Sequence, residues 1–151
     1  MRILVLHGPN LNLLGRRDPA HYGDQTLAAL DETLVAWGAE RGHTVRCRQS
    51  NHEGELLDWL HEAMPGGEFD AVVMNPGGFS HTSVAIRDAF EALTGAGTPV
   101  VEVHLSQVHG REAFRAMLLT AGAASATLSG LGRHSYLLGL EAAVALSSDN
   151  L

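Results

Sequence analysis

"RILVLHGPNLNLLGRRDPAHYGDQT", residues 2–26, decides how the rest of the chain reads. It begins with one arginine and then a short unbroken apolar run, Ile3-Leu4-Val5-Leu6. An unalternated, β-rich run of that length reads as a strand buried on both faces, as in parallel sheets. Residues 7–26 contain no comparable run. They hold two arginines, two asparagines and a tyrosine beside three glycines and two prolines. A structureless stretch beyond about 12–15 residues is usually a lid, a binding loop or disordered. The segment from about residue 8 to residue 25 is therefore expected to be a functional loop placed directly after the first strand.

Further β-rich runs stand at 44–48 (TVRCR), 69–74 (FDAVVM), 99–105 (PVVEVHL) and 124–128 (ASATL). Helical spacing fills the gaps between them. Leu27, Leu30, Leu34 and Trp37 form one stripe, as do Leu56, Leu57, Leu60 and Met64, then Ile86, Phe90 and Leu93, then Leu137, Leu140 and Val144. Residues 111–119 (REAFRAMLL) are expected to add a shorter helix. Ser50 with Glu53 fits a capping box, and Gly42 and Gly95 fit helix C-caps. Five strands alternating with five helices predict an α/β domain with a five-stranded parallel sheet. Right-handed crossovers over so few strands favour a doubly wound, flavodoxin-like arrangement.

The chain has 151 residues, 45% hydrophobic and 18% charged, which fits one domain spanning 1–151 with a real core. The tail, 147–151, is expected to fray. No leader-like stretch and no apolar run near 18 residues appears, so a cytoplasmic protein away from membranes is expected. The net charge of −7 argues against nucleic acid as a partner. Cys47 is the single cysteine, read as a small residue filling a strand position.

In a doubly wound sheet the ligand sits beyond the carboxyl ends of the strands. The segments after strands 1, 3 and 4 should therefore converge, and they carry the polar chemistry. After strand 3, Asn75-Pro76-Gly77-Gly78 ends the strand sharply, and glycines there allow positive φ and close backbone approach. Thr82 or Ser83 then caps a helix. Strand 4 carries Glu102 and His104, which alternation places on one face. A carboxylate beside an imidazole orients the ring and favours its charged form, making a competent general acid. Together with His81 the pair could instead ligate a metal, as in a hydrolase. The arginines near these places argue against that, because they repel a cation. In the first loop, Tyr22 becomes a useful base only if an arginine such as Arg16 or Arg17 lowers its pKa, whereas His21 needs no such help. On physical grounds both stay open. Arg111 and Arg115 lie four apart, and one or both could reach the site. There is no G-x-G-x-x-G and no P-loop. Cofactor-free acid/base chemistry on a small anionic substrate is the expectation.

"GPNLNLLGRRDPAHYG", "QSNHEGELLDWLHEA", "NPGGFSHTSVAIRDA" and "VEVHLSQVHGREAFR", in that order, resemble the type II 3-dehydroquinate dehydratases. The resemblance implies anti elimination of water from 3-dehydroquinate to give 3-dehydroshikimate, through an enolate. It implies Tyr22 as the base with Arg17 lowering its pKa, so His21 yields to Tyr22. Asn10 resembles the residue holding a water on the enolate oxygen. His104 resembles the general acid, oriented by Glu102. Asn75, His81 and Arg115 match positions that grip substrate hydroxyls, and the amides of Leu105 and Ser106 match those holding the carboxylate. Asp88 resembles a residue reaching a neighbouring subunit's site. The resemblance further implies a homo-oligomer, trimers joined into a dodecamer, with the first loop as a lid. Three places depart from the family's pattern: His7 replaces an asparagine, Gln107 replaces an asparagine, and 116–123 (AMLLTAGA) replaces a His-Ser-Tyr-containing stretch. A paralogue acting on a related quinate-like acid is the alternative these departures suggest. A phosphoacceptor receiver would want acidic groups where His7 and Asn75 stand.

Overall fold

The structure, a computed structural model, describes residues 1–16 and 26–148. Five strands form one parallel sheet: β1 (Arg2–His7), β2 (Thr44–Gln49), β3 (Ala71–Asn75), β4 (Val100–His104) and β5 (Ala126–Ser129). Their order is β2-β1-β3-β4-β5, the flavodoxin-like order expected from sequence. The helices are α1 (Leu27–Glu40), α2 (Glu53–His61), α3 (Val84–Gly95) and α4 (His134–Ser148).

The unbroken apolar run of β1 has its predicted cause. From Ile3 onward every residue of the strand is buried, because helices cover both faces. Odd-numbered positions of β1 and β3, such as Val5 and Val73, pack under α1 and α4 with Leu34 and Leu140. Even-numbered positions, such as Leu4 and Met74, pack under α2 and α3 with Leu60 and Phe90. The edge strands β2 and β5 are only partly buried and carry more polar residues.

The first crossover leaves β1 toward β2, and the next returns past β1 to β3. The chain therefore reverses its winding between β1 and β3, and the carboxyl ends of these strands open a crevice. Gly8 lets the two segments close up there. A Cβ on Gly8 would lie 2.4 Å from the Pro76 carbonyl oxygen. Gly77 takes φ 59°, the positive region expected for this turn, whereas Gly78 is not among the positive-φ glycines.

Several local expectations need correction. Residues 111–119 do not form an α-helix; one 3-10 turn covers Ala113–Ala116. Phe114 and Met117 remain 66% and 70% exposed, so an apolar face there has no core to bury against and helix formation gains nothing from packing. Ser50 does not form a capping box with Glu53. Its hydroxyl accepts from the His52 amide and donates to Glu55, and His52 is the N-cap of α2. Gly95 is the last residue of α3, and the turn beyond is taken by Gly97 at φ 90°. Ser83 caps α3 as expected, its Oγ accepting from the Ile86 amide at 2.9 Å. Among the described residues, no helix is long and apolar enough to cross a membrane.

Candidate active site

A cavity of about 120 Å³ lies at the carboxyl ends of β1, β3 and β4. Its wall brings together Asn10, Asn75, His81, His104, Leu105, Ser106, Arg111 and Arg115, from three segments far apart in the chain. Tyr22, Arg17 and His21 lie outside the described residues, with the second half of the segment expected to be a lid. Asp88 is exposed on α3 and is not part of the cavity wall.

The strand that ends at His104 also supplies the partner beneath it. Glu102 is fully buried, and its Oε1 stands 2.7 Å from Nε2 of His104. A carboxylate only accepts, so Nε2–H donates to Glu102 and Nδ1 is left as the second nitrogen of a ring that lines the cavity. Among the described residues Glu102 Oε2 has no partner. The imidazole is thus the group that compensates the buried carboxylate, and the carboxylate in turn fixes the orientation of the ring.

His81 is set differently. Its Nδ1–H donates to the Met117 carbonyl at 2.8 Å, which leaves Nε2 as the acceptor nitrogen. Residues 116–123 thereby act on the site through backbone rather than side chain. The Leu119 amide donates to the Ser80 carbonyl at 2.7 Å, and Arg87 donates to the Leu119 carbonyl at 2.9 Å. Because backbone groups make these contacts, the unusual side chains of 116–123 do not disturb them.

Asn10 sits at φ 67° in the left-handed region, which asparagine tolerates better than most residues. Asn51 Oδ1 accepts from the Asn10 amide at 2.8 Å and from Gln49 Nε2 at 3.1 Å, holding the turn. Asn51 and Gln49 belong to the quoted "QSNH" stretch. Sequence reasoning assigned them no role, because a contact between residues 10 and 51 leaves no local pattern.

Two guanidinium groups close the cavity. Arg115 Nε donates to Glu112 at 2.8 Å, with its guanidinium 5.0 Å from the Phe114 ring. Arg111, which sequence alone could not separate from a solvated helix face, is in the wall. Its Nη1 donates to Ser106 Oγ at 3.4 Å. Glu112's own backbone N–H, aided by Arg115 and Arg111, holds its carboxyl below the usual range. Two arginines, both paired with Glu112, put guanidinium donors in the wall of this small cavity on a chain whose net charge is −7. The arrangement suits a small anion.

His7, one of the departures noted above, is fully buried at the end of β1. Its ring touches Asp31 and Tyr136. With Cys47, whose thiol burial and then Asp31 push up, the ligand atoms of His7 and Asp31 lie within 4.8 Å of one another. Among the described residues no other set of three His, Cys, Asp or Glu gathers in this way, so His81, Glu102 and His104 do not.

This combination of fold, histidine–carboxylate pair and arginine-lined cavity agrees with the comparisons to known proteins. The Dehydroquinase class II family matches residues 1–144. The chain belongs to that family. It is 53% identical over 148 residues to the 3-dehydroquinate dehydratase of Desulforudis audaxviator (strain MP104C), covering 98% of this chain and 95% of that one. It is 51% identical over 145 residues to 3-dehydroquinate dehydratase 2 of Ralstonia nicotianae (strain ATCC BAA-1114 / GMI1000), covering 94% and 92%. The crystal structure of type II dehydroquinase from Butyrivibrio crossotus DSM 2876 superposes with a TM-score of 0.90 at 36% identity, covering 95% of this chain and 97% of that one. The class II fold thus extends over essentially the whole chain.

Proposed function

We propose that this class II dehydroquinase catalyses the anti elimination of water from 3-dehydroquinate, giving 3-dehydroshikimate on the route to aromatic compounds. The observation that carries the reading is the buried Glu102–His104 pair opening onto an arginine-lined cavity. Elimination needs a proton removed at C2, next to the ketone, and a proton delivered to the departing C1 hydroxyl. Tyr22, with Arg17 lowering its pKa, removes the first, and the electron pair moves onto the ketone oxygen as an enolate. Asn10 holds a water against that oxygen. The enolate then collapses to the conjugated enone while charged His104, oriented by Glu102, protonates the C1 hydroxyl, which leaves as water. Asn75, His81 and Arg115 grip the other hydroxyls, and the Leu105 and Ser106 amides hold the carboxylate just beyond the end of β4. Closure of the segment carrying Tyr22 excludes water from the enolate.

No step calls for a metal or organic cofactor. One catalytic domain spans residues 1–151. A cytoplasmic setting and assembly as trimers within a dodecamer belong to the same reading, with Asp88, exposed on α3, reaching a neighbouring subunit's site. The test is to mix the purified protein with 3-dehydroquinate in chelator and follow the ultraviolet absorbance of the enone. Rapid growth of that absorbance is expected. Well-folded protein that produces none would overturn the reading and direct attention to other quinate-like acids.

A further inference from the structure

Asp31, His7 and Tyr136 form a hydrogen-bonded line that no step of the reaction uses. Asp31 comes from α1, His7 from the end of β1 and Tyr136 from the first turn of α4. His7 and Tyr136 are fully buried, and the Asp31 side chain is 33% exposed. The partners set the ring's protons. An ionised carboxylate only accepts, so Nε2–H of His7 donates to Asp31 Oδ1 at 2.9 Å. Nδ1 then carries a lone pair and accepts the Tyr136 O–H at 2.8 Å. Burial pushes the Tyr136 phenol far above its ordinary range, so it keeps that proton to donate. With its proton aimed at His7, the hydroxyl can only accept on its other side.

Asn75 stands on that side. His7 and Asn75 are register partners on β1 and β3, so their side chains leave the sheet on one face. Asn75 Oδ1 accepts from the Gly77 amide at 3.1 Å, which turns the NH₂ group the other way. The Asn75 NH₂ group faces the Tyr136 hydroxyl and acts on it in the sense that opposes the effect of burial, as a donor turned toward that oxygen does. An NH₂ group has two hydrogens. With one turned toward Tyr136, the other is left for the cavity that Asn75 lines.

We propose that Asp31, His7 and Tyr136 act as a positioning relay that locks the Asn75 amide with an N–H toward the cavity, so that the site offers a donor to a hydroxyl oxygen of the substrate. His7 and Tyr136 are positioning residues, since they act through Asn75. The hydrogen bonds also satisfy both ring nitrogens of the buried His7. The inference rests on the reading that Asn75 touches substrate, and its test separates the two.

The test is a double-mutant cycle on steady-state dehydration of 3-dehydroquinate, using Tyr136→Phe, Asn75→Ala and both together. Tyr136→Phe deletes one oxygen and should raise KM about tenfold, the worth of one mis-set hydrogen bond, with kcat within about threefold. Asn75→Ala should raise KM at least as much, and the double variant should be no worse than Asn75→Ala alone. His7→Gln can accept from Tyr136 and donate to Asp31, so it should keep KM within about threefold of the parent. His7→Leu should behave like Tyr136→Phe. If His7→Leu does not fold, the Tyr136→Phe cycle decides. Raised KM in Asn75→Ala with unchanged KM in Tyr136→Phe would overturn the relay alone, as would additive effects in the double variant. Unchanged KM in Asn75→Ala would sink the substrate-contact reading and the relay with it.

Discussion

The sharpest prediction concerns Glu102→Gln. The change conserves volume at a fully buried position and removes one negative charge. In the parent, Oε1 accepts from His104 Nε2–H at 2.7 Å. Two unit charges at that separation attract by about 6 kcal/mol at an effective dielectric of about 20. Delocalisation over the ring reduces that figure, and so does the desolvation a buried carboxylate carries in the free enzyme. Each 1.36 kcal/mol is a factor of ten in rate. The loss should therefore lie between about 10² and 10⁴ in kcat, the range also expected for a mis-set general acid. Glutamine adds a second fault. If its carbonyl oxygen takes the imidazole, its NH₂ occupies the place of Oε2, which has no partner among the described residues, at a cost of roughly 1–3 kcal/mol to the fold. Neither carboxylate oxygen belongs to a residue of the cavity wall, so KM should stay within about threefold. The assay is kcat and KM from enone absorbance, with Tm recorded alongside. A variant of normal Tm that keeps kcat within tenfold of the parent would refute the claim that Glu102 orients and supports His104 as the acid. So would a raised KM at unchanged kcat.

Tyr22→Phe should lower kcat at least about 10³-fold with little change in KM, and retention of more than a tenth of turnover would remove Tyr22 as the base. Arg17→Ala should also cripple turnover and shift upward the limb of the pH–rate profile that reports deprotonation of Tyr22; an unshifted profile would contradict the pKa argument. Ser83→Ala removes the α3 cap and should cost about 1 kcal/mol in urea denaturation, with an unchanged midpoint counting against the cap. Asp70, hydrogen-bonded to the Arg2 side chain, has its carboxyl held below the ordinary range. A depressed folded pKa contributes stability above the unfolded pKa, about 3.9, which is lost as pH falls through the folded value. Asp70→Asn should therefore destabilise the protein at pH 7 by no more than about 1 kcal/mol, since the pair is exposed, and by nothing once Asp70 is protonated. An undiminished difference at the lowest pH that still supports folding would refute it.

The strands and the sheet class were legible in sequence because burial on both faces forces continuous apolar runs, as in β1 and β3, and helices must alternate with parallel strands. The Glu102–His104 pair was legible too, since two residues on one strand share a face whatever surrounds them. Helix 111–119 was misread because its apolar spacing resembles that of a packed helix, and only the tertiary structure shows that Phe114 and Met117 meet no core. The same limit hid the Asn51 hold on Asn10, the Met117 carbonyl on His81 and the line from Asp31 through His7 to Tyr136. Each joins residues between 24 and 129 positions apart. Local patterning reports which face a residue presents, because period and burial act over a few neighbours. It cannot report which distant polar group that face meets, because that depends on how the crossovers bring strand ends together.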